Sequence, residues 1–176
     1  MQNMKTLVNT TLCYIEKDAC YLMLHRTKKE NDYNHDKWIG IGGKFENGES
    51  PEDCVIREVN EETGLTILPE NLEYCGIVTF VDESNPDFYT EFMHIFRARN
   101  FSGRLLEECS EGNLEWVPIA KLKEIPHWPA DEIFYDFLAE NHPFFSLKVI
   151  YKNNVLIETK LAGLPYAHWP EKCKKK

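Results

Sequence analysis

The chain has 176 residues, 43% of them hydrophobic and 12% aromatic, with a formal net charge of −9. That length and apolar content suit one compact domain spanning residues 1–176, and the negative charge disfavours nucleic acid polymers as partners. No apolar stretch approaches membrane-spanning length and no long apolar run opens the chain, so a cytoplasmic protein without membrane contact is expected.

In chain order, residues 5–16 and 19–26 read as strands joined at Lys17-Asp18. Residues 28–37 are a polar loop, expected at the edge of a site. A glycine-bearing turn, Gly40-Ile41-Gly42-Gly43, follows. Ser50 suits a helix cap, Pro51 the first helical position, and Glu52 and Asp53 the positive end of the helix dipole. Gly64 is placed to stop that helix, which the spacing predicts over residues 51–63. Strands are predicted near 73–82 and 89–99, and another ends at Trp116-Val117-Pro118. A short helix near 119–124 and a second at 130–140 come next, the latter with Ile133, Phe134, Phe137 and Leu138 on one face. Asn153-Asn154 predicts a closing hairpin of 146–151 with 155–160, and the tail from about 162 to 176 is expected to be flexible. The six cysteines, at 13, 20, 54, 75, 109 and 173, show no metal-type spacing and read as reduced thiols.

The chemistry concentrates in the helix at 51–63. At about 100° per residue, Glu58, Glu61 and Glu62 project within one sector, while Val55 and Val59 anchor the other face to a core. Like charges three and four positions apart repel by a few tenths of a kcal/mol, roughly, per pair, and a cation reverses that penalty. With only hard oxygen donors and no interleaved His or Cys, Mg2+ is favoured, Mn2+ is possible and zinc is disfavoured.

Across the 23 residues from Gly43 to Leu65, the pattern G-x5-E-x7-R-E-U-x-E-E-x-G-U, with U apolar, is matched at Gly43, Glu49, Arg57-Glu58, Val59, Glu61-Glu62, Gly64 and Leu65. In this the chain resembles the Nudix hydrolases, which cleave nucleoside diphosphates linked to another group, and its likeness is nearest to the MutT-type 8-oxo-dGTP diphosphatases. The resemblance extends over roughly residues 5–160, through Leu22-Met23-Leu24-His25-Arg26, Lys37-Trp38-Ile39-Gly40 and His127-Trp128-Pro129-Ala130-Asp131. It implies an α/β fold of the Nudix type, an α/β/α sandwich with a mixed β-sheet. It makes Glu58, Glu61 and Glu62 metal ligands, together with the Gly43 carbonyl, and it makes Glu58 or Glu61 the group that activates water. Arg57, paired to Glu49, braces the site. Glu111, before Trp116, is the expected further metal ligand, with Glu108 and Glu115 as rivals.

For substrate, the resemblance points to Arg26 and Lys44 at the phosphates and to Trp128 and Asp131 at the base. A related human oxidised-purine hydrolase has Trp-Pro-Asp-Asp where this chain has Trp128-Pro129-Ala130-Asp131, and an asparagine where this chain has Ile39. Two polar groups that read the base are therefore absent. The expected activity is Mg2+-dependent hydrolysis of an oxidised purine nucleoside triphosphate to monophosphate and pyrophosphate. Hydrolysis of ADP-ribose or a dinucleotide is the alternative, and a nucleotide-binding module without catalysis the minor one. The oligomeric state is left open.

Overall fold

The computed structural model describes residues 7–28, 32–84 and 89–166. Its strands are β1 (Leu7–Lys17), β2 (Cys20–Arg26), β3 (Trp38–Ile39), β4 (Leu65–Thr66), β5 (Leu72–Asp82), β6 (Tyr89–Ala98), β7 (Ser102–Gly103), β8 (Gly112–Pro118), β9 (Phe145–Lys152), β10 (Val155–Leu161) and β11 (Leu164–Pro165). The helices are α1 (Pro51–Thr63) and α2 (Asp131–Ala139), with 3-10 turns at Pro69–Asn71 and Ile119–Glu124. Nine of these strands form one mixed sheet in the order β11-β10-β9-β5-β6-β1-β2-β3, with β8 on the free edge of β2; β4 and β7 make a separate pair.

The first hairpin turns at Asp18 and Ala19, both with positive φ, as a two-residue turn between right-twisted strands requires. β1 then has divided allegiance. It runs parallel to β6 along its length, but pairs with β2 only from Ile15 to Lys17. Its earlier residues pair instead with the glycine turn, through bridges Cys13↔Ile41 and Thr10↔Lys44 and the bond from Thr11 N to the Gly43 carbonyl at 2.9 Å. The glycine turn is thus pinned to the sheet as a quasi-strand, directly ahead of α1.

Side chains of β1 alternate between two cores. Cys13 and Ile15 face α1, where Val55 and Val59 pack fully buried with Leu22, Leu24, Ile41 and Phe96. Tyr14 faces α2, whose Ile133, Phe134, Phe137 and Leu138 pack with Tyr21, Met23 and Ile95. One helix on each face of a mixed sheet is the expected α/β/α sandwich. Arg97 fastens the second layer: it is almost wholly buried, pairs with Glu73 at 2.8 Å and donates to the carbonyl of Leu138 and to Asn141 at 2.9 Å.

β9 lies parallel to β5, from Gly76↔Phe145 to Asp82↔Tyr151, and returns as β10 through Asn153 and Asn154, both with positive φ. Ala162 and Gly163 turn with positive φ, and Leu164–Pro165 runs back along β10; the rest of the tail from residue 167 lies outside the described residues. Among the described residues no helix is long and apolar enough to cross a membrane.

Phe96 tests the core on which α1 rests. It is fully buried and stacks on Tyr74 with ring centroids 4.6 Å apart. Phe96→Ala is expected to lower unfolding free energy by about 3–5 kcal/mol in denaturant titration.

Candidate active site

α1 begins with a reciprocal cap. The Ser50 hydroxyl accepts from Asp53 N at 3.1 Å, and the Asp53 carboxylate accepts from Ser50 N at 3.0 Å. Gly64 ends the helix in the left-handed region at φ 73°. Between these stops, Val55 and Val59 set the helix phase against the sheet, and the glutamates take different environments. Glu62 is buried and accepts a bond from Gly42 N at 3.1 Å. The Glu58 carboxylate lies over Gly43, where an added Cβ would come within 2.4 Å of its Oε1 and displace the carboxylate. Glu61 points outward with its side chain 60% exposed. The three acids therefore share a helix but do not present alike.

Arg57 ties helix to loop. Its Nε and Nη2 donate to the two Glu49 oxygens at 2.6 and 3.0 Å. Nη1 reaches Glu58 at 2.9 Å and Glu61 at 3.3 Å, and Nη2 reaches the Lys44 carbonyl at 3.1 Å. This guanidinium holds the Glu49 carboxyl well below the usual carboxylate range.

Glu111 enters from the loop before β8. Its partner is Arg26, which also donates to Asp32 at 2.6 Å. Lys28 fastens the same loop through the Cys109 carbonyl at 2.6 Å. Glu111 faces both Glu58 and Glu62. Burial first, then Glu111 and Glu58, raise the Glu62 carboxyl well above its usual range, and burial, against the pull of Arg57, raises Glu58. The rivals Glu108 and Glu115 are exposed. The Gly43 carbonyl already accepts from Thr11 N at 2.9 Å and from the Cys54 thiol at 3.8 Å. Among the described residues, no three acidic, histidine or cysteine side chains converge as a ready cation cage. Instead two arginines, Arg57 and Arg26, sit against the crowded carboxylates, and every donor at this end is a hard oxygen, which fits a hard divalent ion.

A cavity of about 790 Å3 joins these acids to an aromatic wall. Trp128 sits there with its Nε1 donating to Asn34 at 2.7 Å. Its ring stacks with Tyr33 at 4.8 Å and meets Tyr151 edge-on at 5.3 Å, and the Lys37 ammonium lies 4.5 Å from its centre. Asp131, in the first turn of α2, is buried and accepts from Trp128 N at 3.3 Å. Burial pushes its carboxyl up to about 8, opposed by that bond and by Lys37. Ile39 and Ala130, the two apolar departures, also line the cavity, and Ala130 N donates to the Tyr151 hydroxyl at 2.9 Å. Lys44 is exposed at the rim.

All the predicted site residues except the outward Glu61 therefore border one space; Glu61 is held at its margin by Arg57. Sequence reasoning missed Tyr33, Phe80, Glu91 and Tyr151, which line the same cavity. The two-residue period of β5 and β9 carries a signal for Phe80 and Tyr151, since Val78 and Val149 share their face, but nothing local pairs Tyr33 with Trp128.

The NUDIX domain family model matches residues 7–138. The chain is a member of the Nudix hydrolase family. This Nudix hydrolase is 32% identical over 136 residues to the uncharacterised Nudix hydrolase YvcI of Bacillus subtilis, covering 77% of this chain and 81% of that one. It is 31% identical over 135 residues to the oxidized purine nucleoside triphosphate hydrolase of Danio rerio, covering 76% of this chain and 82% of the relative. Among solved structures, the MutT protein of Bacillus halodurans superposes with a TM-score of 0.78 at 26% identity, covering 90% of this chain and 99% of that one. Nudix hydrolases use divalent metal ions, in keeping with the oxygen-only donor set of this one.

Asp131 gives a pH signature. Its folded-state carboxyl is raised from 3.8 to about 8, so the folded protein holds this proton more tightly than the unfolded chain. The stabilisation is complete below about 4 and is lost as pH rises toward 8. Asp131→Asn, which cannot ionise, is expected to lose less thermal stability between pH 5 and pH 8 than wild type, by about 3 °C or more in Tm.

Proposed function

We propose that this Nudix hydrolase cleaves oxidised purine nucleoside triphosphates such as 8-oxo-dGTP, yielding the monophosphate and pyrophosphate. One observation carries the reading: a single cavity has the crowded carboxylates at one end and Trp128 with the buried Asp131 at the other. A flat apolar ring and a hydrogen-bonding acid, at a distance from a phosphate-handling end, suit a purine nucleotide. The printed activity of the Danio rerio relative supports the same substrate class. A role in cleansing the nucleotide pool goes with a cytoplasmic protein.

Glu58, Glu61, Glu62 and Glu111, with the Gly43 carbonyl, would hold Mg2+, with Mn2+ as a substitute. When bound, the ion supplies neutralisation of phosphate charge and acidification of water. The chain's own groups do the rest. Glu58, largely shielded and facing Glu62 and Glu111, takes the proton of the attacking water at a carboxylate oxygen; the outward Glu61 is the less favoured base. Arg57 keeps Glu58 and the Lys44 carbonyl in place, so that loop and helix form one rigid wall. Arg26 holds a forked guanidinium at the same end, where a triphosphate competes with Asp32 and Glu111 for its donors. Lys44, at the rim, adds a mobile charge for the outer phosphate. At the base end, the purine exchanges with the Tyr33 ring for the face of Trp128, and Asp131 meets the base edge. With Ile39 and Ala130 apolar, the reading of polar groups falls more heavily on Asp131.

Glu58→Gln is expected to lower kcat by at least about 100-fold on 8-oxo-dGTP while leaving Tm unchanged; near-normal pyrophosphate release would contradict the assignment. Trp128→Ala is expected to raise KM for purine triphosphates about tenfold with little change in kcat. An unchanged KM would make Trp128 a structural aromatic.

A further inference from the structure

Glu91 stands on β6, directly across from Phe80 of β5 and Val8 of β1. Phe80 is the floor of the aromatic wall, with ring centroids 5.9 Å from Tyr33, 6.4 Å from Trp128 and 5.2 Å from Tyr151. Glu91 lines the same cavity one strand away. Its carboxylate is oriented at both oxygens: the Thr10 hydroxyl donates to Oε1 at 2.6 Å and the Tyr89 hydroxyl to Oε2 at 3.1 Å. Both donors are neutral hydroxyls, and a carboxylate oxygen that has accepted one bond can accept another.

The surroundings decide what it can accept from. Asp82 lines the same cavity. The Tyr33 phenol is pushed up to about 12, by burial first and then by Asp82 and Glu91, so the negative charge is felt inside the slot. A base edge rich in acceptors is repelled from such a wall. A guanine-type edge presents two adjacent N–H donors, at N1 and the 2-amino group, which match the two oxygens of a carboxylate; adenine presents a single amino group.

We propose that Glu91 is a specificity-determining residue of this hydrolase, accepting from the 2-amino and N1–H edge of a guanine-type base while Thr10 and Tyr89 hold it in position. The assignment rests on the purine triphosphate reading above and names the edge that this chain reads in place of the polar groups missing at Ile39 and Ala130.

The test compares 8-oxo-dGTP with its 2-deamino counterpart, 8-oxo-dITP, on wild type, Glu91→Gln and Thr10→Val, with Mg2+ and product analysis. Glu91→Gln should raise KM for 8-oxo-dGTP about tenfold or more, with kcat within about threefold, and should change KM for 8-oxo-dITP by less than about threefold. Thr10→Val should move in the same direction by a smaller factor. Because both substrates are read on the same variant, a general loss of folding shows as an equal loss on both. An equal effect on the two substrates, or none on either, would overturn the role of Glu91 while leaving the hydrolase reading in place. Wild type that cleaves ADP-ribose and neither triphosphate would overturn the substrate reading itself, and the role of Glu91 with it.

Discussion

Glu58, Glu62 and Glu111 line one end of the cavity close enough to act on one another's charge, and the rest of the site follows from how that repulsion is borne. The two buried valines of α1 lock the helix rotation, so Glu62 cannot swing out to solvent, and the glycine turn closes over Glu58 because β1 holds that turn by backbone bonds. Burial first, and neighbouring carboxylates after it, raise the pKa of the two α1 acids. The fold tolerates this by placing a guanidinium on each side, Arg57 from the helix and Arg26 from the end of β2. Positive charge is thus built into the site, and a hard cation has the same electrostatic invitation.

The second consequence is polarity along the cavity. Arg26, Arg57 and Lys44 stand among the carboxylates of the box end, whereas Trp128, Phe80 and Tyr151, with Asp131 and Glu91, line the aromatic end. A nucleotide has the complementary asymmetry, with its charge at one terminus and a flat, hydrogen-bonding ring at the other. The sheet makes this separation possible. β1 carries Thr10 beside the base end and Thr11 against the glycine turn, so one strand spans both halves of the site.

Much of this was legible in the residues, for identifiable physical reasons. Ser50, Pro51 and Gly64 are local stop signals, and they delimit α1 at Pro51–Thr63 as expected. The hairpin at Asn153-Asn154 was readable because both residues tolerate positive φ. The two-residue strands β3, β4, β7 and β11 carry too little periodicity to be seen, and the pairing of Leu164–Pro165 with β10 depends on a turn at Ala162-Gly163 that no local pattern announces. The helical wheel placed Glu58, Glu61 and Glu62 in one sector, yet only the position of the sheet decides that Glu62 is buried and Glu61 exposed. Arg26 was read as a phosphate fork, but its engagement with Asp32 and Glu111 depends on where two loops meet. Tyr33 on Trp128 and Glu91 beside Phe80 are contacts between distant segments, set by loop course and strand register rather than by any local pattern.

A divalent-ion hydrolytic site and a purine pocket as the two ends of one cavity is the proposal on which the rest turns. Purified protein with Mg2+, offered 8-oxo-dGTP, dGTP, ADP-ribose and dinucleotides separately, tests it through kcat/KM and product identity. The expected result is a strong preference for 8-oxo-dGTP with release of pyrophosphate, abolished by chelation. Preference for ADP-ribose or a dinucleotide would keep the hydrolytic end and contradict the purine triphosphate assignment of the other.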